Sequence, residues 1–422
     1  MKLTINNIGM IENAAIEING ITVIAGENNS GKSTVGKVLY SVFNGFNRLP
    51  GKVLHEKERA VLQTLLRMNN KMSDVQWHDN RKVPSRLASS IVEKHNSSKN
   101  WMTELRDYAL KVSGGSNEQL SDDALEKLDD TIKKIKEILA ISDVEVVKAI
   151  LSKIMTVEFN GQINNVFSAE KAYVSLSIRG EECKILIEKN SVTEIDNTFN
   201  LEKQAIYLDD PLILDRMSSN FRFPNRYMRH DMHLREMLAK GKNSDNAVEM
   251  ILTEERLSKV YSKISQVCEG DLAETEFGHF GYQLPGTNKI INAENISTGL
   301  KTFVIIKTLL QNGSLEEHGT IILDEPEIHL HPEWQLVLAE LIVLLQKEFS
   351  LHILLNTHSP YFLSAIEVYS AKYGLADKCK YYQARVENGR TQIDDVTDNT
   401  EAIYRQLAKP LQDLEDFRYR ND

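Results

Sequence analysis

The chain has 422 residues, 41% of them hydrophobic and 26% charged, with a formal net charge of −10. That composition can bury a sizeable core, and its acidic balance excludes a global basic field for nucleic acid, so any such contact must be local. Three widely separated cysteines, Cys183, Cys268 and Cys379, support neither a disulfide framework nor a zinc site and fit a cytoplasmic setting.

The first 20 residues are polar and strand-like and lack the apolar core of a signal peptide. The longest apolar runs, such as Leu341 to Leu345, fall far short of the roughly 18 residues needed to cross a membrane. That argues against membrane contact and against a transporter chain carrying its own membrane part. Short strands are expected at Ala14 to Ile18 and at Ile21 to Ala25, bounded by Asn and Gly turns. The second runs straight into Gly26 to Ser33, GENNSGKS, and a helix is expected from Ser33 to Phe43.

This spacing, GxxxxGK[ST] between strand and helix, is a phosphate-binding loop. Gly26 and Gly31 let the backbone turn tightly and approach phosphate, while exposed N–H groups and the helix N-terminus present positive partial charge. Lys32 matches β- and γ-phosphate charge, and Ser33 offers a hydroxyl to Mg²⁺. The candidate nucleotide contacts are Gly26, Asn28, Asn29, Ser30, Gly31, Lys32, Ser33 and Thr34, with ATP and Mg²⁺ as the expected ligands.

Residues 44–170 differ: they are polar, helical in pattern, and read as an insertion. Leu125, Leu128, Ile132, Ile135 and Leu139 form a short heptad-like stripe, which suits an amphipathic helix packed on its own domain or a partner-binding arm. Strand signals return at Tyr173 to Ile178, Cys183 to Ile187 and Ala205 to Leu208, and 212–275 reads as a helical subregion. From Thr320 the order is strand (to Leu323), helix (Pro332 to Phe349), strand (His352 to Asn356) and helix (Pro360 to Ser370). Such alternation predicts an α/β fold with a mixed, mainly parallel sheet. A strand pair (Lys380 to Val386, Thr391 to Val396) and a terminal helix close the chain. The head is expected over 1–43 and 171–422.

The strand Ile321 to Leu323 ends in Asp324 and Glu325. Buried strands seldom end in adjacent acids without a cation or a task. Asp324 is placed to hold Mg²⁺ and Glu325 to polarise an attacking water. His358, one helix and one strand later, could contact the γ-phosphate. His329 and His331 have the spacing of a metal pair but no evident third ligand.

Four segments carry a resemblance: GENNSGKS at 26–33, NISTGLK at 295–301, LDEPEIHLHP at 323–332 and NTHSP at 356–360. On them the chain resembles ABC-type P-loop ATPases of the SMC/RecF/OLD branch. It is most similar to the OLD-like, PtuA-like ATPase subunits of bacterial anti-phage defence systems. The resemblance implies two heads facing head to tail around ATP, as a homodimer or higher homo-oligomer. Ser297 and Gly299 of one copy would then cap the γ-phosphate held by the other. It departs from the usual signature at Thr298 and Leu300, and Glu327 to Pro332 falls where the dimer-crossing segment should lie. Only about 60 residues follow His358, too few for a nuclease domain of typical size. Asp394, Asp395, Asp398 and Glu401 form only a loose acidic loop, so any nuclease or toxin is expected on a separate effector.

Arg222, Arg226, Arg229, Arg235, Lys240 and Lys242 cluster with Phe221, Phe223 and Tyr227. Nucleic acid, an acidic partner, or a solvated helix face would each suit the 222–242 segment. Three functions stay open: a defence ATPase controlling an effector, a RecF/SMC-like DNA-maintenance or repair ATPase, and a nucleotide-binding module with little turnover.

Overall fold

The computed structural model describes residues 1–72, 82–97, 99–113, 120–218, 227–241, 257–276 and 278–419. Two compact units divide the chain: Met1–Asn47 with Leu151–Asp422, and Arg48–Ile150.

The first unit is built on an 11-stranded sheet in the order β6-β5-β4-β1-β2-β14-β13-β3-β12-β11-β7. In chain order these are β1 (Lys2–Ile8), β2 (Ile11–Glu17), β3 (Ile21–Gly26), β4 (Ala172–Ile178), β5 (Glu181–Glu188), β6 (Ser191–Ile195) and β7 (Ala205–Leu208), then β11 (Thr320–Asp324), β12 (His352–Thr357), β13 (Cys379–Glu387) and β14 (Arg390–Asp395). β13, β3, β12, β11 and β7 run parallel to one another, and this half carries the phosphate loop and the acidic strand end. Every residue of β3 and of β11 is buried, as expected of parallel strands covered on both faces. From β6 to β2 the pairing is antiparallel, and burial alternates along β2 and β5. The fold is thus α/β with a mixed sheet.

Helices α1 (Lys32–Phe46), α9 (Thr298–Gln311), α10 (Pro332–Phe349) and α11 (Pro360–Lys372) accompany the parallel strands, and α12 (Glu401–Tyr419) ends the described chain. α10 begins where Pro332 sits in its first turn, a position where its missing N–H costs nothing. Ser359 caps α11 by accepting from the Phe362 N–H. The main core joins Val23, Ile321, Leu323, Ile353 and Leu355 from the strands to Phe303, Leu338, Ile342 and Phe362 from the helices.

The second unit holds α2 (Leu49–Met72), α3 (Lys82–Asn96), α4 (Met102–Val112), α5 (Asp122–Ala140) and the start of α6 (Asp143–Glu158). Its own core packs Leu65, Ile91, Trp101 and Leu105 with Leu128, Ile135 and Leu139. Three members of the α5 stripe thus lie inside this unit, while Leu125 is exposed.

The compact insertion is shorter than the 44–170 expected from sequence. Asn44 belongs to the head, because its side-chain amide donates to the Ala205 carbonyl (2.9 Å) and accepts from the Ala205 N–H (2.9 Å). Residues 159–170 also join the head: Gly9 N–H donates to Ile163 (3.0 Å), and Asn165 N–H to Asn7 (2.8 Å). The 212–275 subregion is helical over α7 (His230–Leu238) and α8 (257–264). Asp271–Glu274 is instead a strand, β8, which pairs with β9 (Phe280–Gln283) and, through it, β10 (Ile290–Asn292). Among the described residues, no helix is long and apolar enough to cross a membrane.

Candidate functional site

The loop after β3 has the backbone its sequence demands. Gly31 adopts φ 76° and Asn29 φ 61°, the left-handed region that glycine and asparagine enter most cheaply. Gly26 is needed for another reason. A Cβ there would lie 2.6 Å from the Ala384 carbonyl oxygen of β13. Asn28, Asn29 and Ser33 are exposed at the rim, Thr34 is half-buried, and Ser30 is buried with no hydrogen-bond partner for its hydroxyl.

Lys32 is buried at 4% exposure, and its ammonium spans the loop. Nζ donates to the carbonyls of Gly26 (2.9 Å) and Glu27 (2.8 Å) and lies 3.4 Å from Glu325 Oε1. The same Glu325 oxygen is 3.3 Å from His358 Nδ1. Three sequence-expected residues thus meet at one carboxylate. They come from the end of β11, the end of β12 and the start of α1, which the parallel order brings together at the carboxyl ends of the strands.

Glu325 holds a φ of 50°. A non-glycine residue in that region costs of the order of 1–3 kcal/mol, a strain that clusters at functional sites. Its N–H donates to the Asn356 carbonyl (2.9 Å), which anchors the turn to β12.

Asp324 is buried and doubly held. Tyr207 of β7 donates its hydroxyl to Oδ2 (2.7 Å), and Asn356 donates an amide N–H to Oδ1 (2.9 Å). An ionised carboxylate offers about four lone-pair sites, so two remain for a cation. The set fits Mg²⁺, a hard ion that takes one or two protein carboxylates and hydroxyls. Sequence reasoning missed both donors. Asn356 lies within a segment the resemblance singled out, whereas Tyr207 gave no local signal beyond its place at the end of an apolar strand.

Glu327 entered the sequence reading only as the start of the expected dimer-crossing segment. It is buried and takes a hydrogen bond from the Thr357 hydroxyl, and burial pushes its carboxyl above the usual range. It ties the turn after β11 to the residue just before His358.

Ser297 caps α9, its hydroxyl accepting from the Leu300 N–H (3.3 Å). A Cβ on Gly299 would come 2.9 Å from the His329 carbonyl oxygen and 2.9 Å from Leu330. Glycine there lets α9 approach the turn after Glu325. Among the described residues, no hydrogen bond or ion pair links Ser297 or Gly299 to the phosphate loop of the same chain. His331 caps α10 by accepting from the Glu333 N–H (3.4 Å), and the described residues contain no cluster of metal-ligating side chains around it or His329.

The basic segment is only partly described: Arg222, Arg226, Lys242, Phe221 and Phe223 lie outside the described residues. Arg229 forms a two-point pair with Asp231 (2.9 and 2.7 Å). A cavity of about 370 Å³ opens beside the loop, lined by Glu27, Ser30 and residues of β13. Lys32, Asp324, Glu325 and His358 do not line it.

A glycine loop between strand and helix, with an acidic pair and a histidine at neighbouring parallel strand ends, is the arrangement of a P-loop ATPase. The chain belongs to the family described as "AAA domain, putative AbiEii toxin, Type IV TA system", which matches residues 21–364. Distant likenesses of fold accompany this match. A Smc head bound to the C-winged helix domain of ScpA is 11% identical with a TM-score of 0.40, over 95% of this chain and 98% of that one. The SMC head domain from Thermotoga maritima is 13% identical with a TM-score of 0.36, over 94% and 98%. The ADP conformation of an ATP-binding cassette of an ABC transporter, MJ1267, is 12% identical with a TM-score of 0.33, over 97% and 96%. At those scores the likenesses carry no weight for function.

Proposed function

We propose that this chain binds ATP with Mg²⁺ and hydrolyses it between two copies joined head to tail, and that the assembly controls a separate effector in an anti-phage defence complex. The observation that carries the ATPase reading is the convergence of Lys32, Glu325 and His358 within 3.4 Å contacts. The defence reading is supported by the OLD-like character of the four sequence segments.

Backbone N–H groups of 26–34 would cradle the phosphates, and Lys32 would exchange its loop carbonyls for phosphate oxygens. That exchange needs no large motion, because the ammonium already spans the loop. Ser33 and Asp324 would hold Mg²⁺, which supplies positive charge against the developing phosphate charge. Glu325 would orient the attacking water and accept its proton. His358, 3.3 Å from that carboxylate, would sense the γ-phosphate and steady the base. Ser297 and Gly299 make no polar contact with their own loop. That fits an action on the partner copy, where the N-terminus of α9 would meet phosphate.

The test is Glu325→Gln. The amide keeps its shape but cannot take a proton. The variant should lose phosphate release, retain ATP, and run as a longer-lived dimer by light scattering. Phosphate release at the wild-type rate would overturn the catalytic assignment. For the defence reading, co-expression with neighbouring gene products should protect cells from phage and yield a complex. A chain that does neither sinks it, whereas ATPase stimulation by DNA would favour the RecF/SMC-like alternative.

A further inference from the structure

Tyr207 is fully buried, and its hydroxyl lies between two residues far apart in sequence. It donates to Asp324 Oδ2 at 2.7 Å and reaches the Ser33 carbonyl oxygen at 3.3 Å. One side chain thus touches both residues assigned to the cation. We propose that Tyr207 is a positioning residue for the metal site, fixing the rotation of the Asp324 carboxylate. This rests on the reading of Asp324 and Ser33 as the Mg²⁺ pair.

Three features show that this placement is built into the fold. First, the register puts Tyr207 of β7 directly opposite Ile322 of β11, two residues before Asp324. Its side chain then has to run along the strand beneath α1 to reach the carboxylate. Second, Gly36 of α1 makes room for it. A Cβ at Gly36 would fall 2.9 Å from the Tyr207 hydroxyl and 3.0 Å from Ile322. Third, the ring is held from its other face. The His230 imidazole stacks on it at 4.4 Å between centroids and 26° between planes. That imidazole is itself pinned, with Nδ1 at 2.5 Å from Glu158 and Nε2 at 2.8 Å from Asp209. With both ring nitrogens facing carboxylates, His230 cannot swing away from Tyr207 without breaking two charge-assisted hydrogen bonds.

A ligand carboxylate is only as well aimed as the groups that hold it, and outer-shell hydrogen bonds of this kind change metal affinity by about 10–100-fold. Asn356 alone fixes Oδ1 and leaves the carboxylate free to pivot about that one contact.

The experiment compares Tyr207→Phe, Gly36→Ala and Asp324→Asn with wild type. Two quantities are read: the Mg²⁺ concentration that half-activates phosphate release, and the affinity for a fluorescent ATP analogue with and without Mg²⁺. Tyr207→Phe, which keeps the ring and its stack, should need about tenfold more Mg²⁺ while binding metal-free nucleotide as wild type does. Gly36→Ala, which displaces the hydroxyl without removing it, should shift in the same direction and serves if Tyr207→Phe does not fold. A Tyr207→Phe requirement within twofold of wild type overturns the proposal, provided Asp324→Asn raises the requirement strongly. If Asp324→Asn leaves it unchanged, the assignment of Asp324 to the metal fails, and the role of Tyr207 with it.

Discussion

His230 makes the head's stability depend on pH in a direction that can be worked out. Burial alone would lower its imidazole pKa. The hydrogen bonds it donates to Asp209 and Glu158, with their charges, outweigh that and raise it from 6.5 to about 9. The side chain is 5% exposed, so solvent screening discounts this little. A group whose pKa is raised on folding stabilises fully below its unfolded value, and the contribution fades as pH rises through the folded one. The gap is about 2.5 pH units, and at about 1.4 kcal/mol per unit it gives about 3 kcal/mol. That stabilisation is present at pH 6 and gone by about pH 9.5. His230→Gln removes it, because a neutral amide does not titrate. Urea unfolding of the head, followed by circular dichroism from pH 6 to 9.5, should show wild type losing about 3 kcal/mol relative to the variant. Burial also pushes the Cys183 and Cys268 thiols up, so their ionisation in the unfolded chain lowers stability from about pH 9, but both proteins share that loss and it cancels in the comparison. Parallel pH curves for the two proteins would refute the protonated, doubly paired imidazole.

Two further outcomes test packing. Asn44→Ala strips both partners from the Ala205 backbone, which is buried between α1 and β11. Two unsatisfied groups at about 1–3 kcal/mol each should lower the head's urea midpoint strongly, while Asn44→Asp, which keeps one acceptor, should cost less. In the second unit, Ile135→Ala opens a cavity among Leu65, Ile91 and Leu105. It should cost about 2–5 kcal/mol, whereas Leu125→Ala, on the exposed side of the same helix, should shift the unfolding transition of that unit far less.

The elements around the glycine loop were the most legible. β3, β11 and β12 are short apolar runs with strong punctuation, and α10 announces itself by Pro332 and an apolar face, so their bounds follow from local chemistry. β6 was missed because SVTEI buries only Val192 and sits at the sheet edge, where period-two patterning is faint. β8 to β10 were missed because four- and three-residue strands carry no period to read. The insertion's ends were misplaced for a different reason. Asn44 and residues 159–170 look like neighbouring helix and loop, and only long-range hydrogen bonds to Ala205, Asn7 and Gly9 assign them to the head. The same applies at the site. Lys32, Asp324, Glu325 and His358 each sit at a strand or helix end with a chemical reason to be there. Tyr207 and Glu327 act through Asp324 and Thr357, 117 and 30 residues away respectively, and no local pattern encodes such pairs.

Asp324 draws both of its hydrogen bonds from uncharged donors, a phenol and an amide. A buried carboxylate that relied on its cation for solvation would be stranded each time the products left, and the turn around it would have to open to water. On the proposed reading, the charge would keep its protein-made solvation through every departure. Emptying the site would then cost the chain little reorganisation before the next nucleotide.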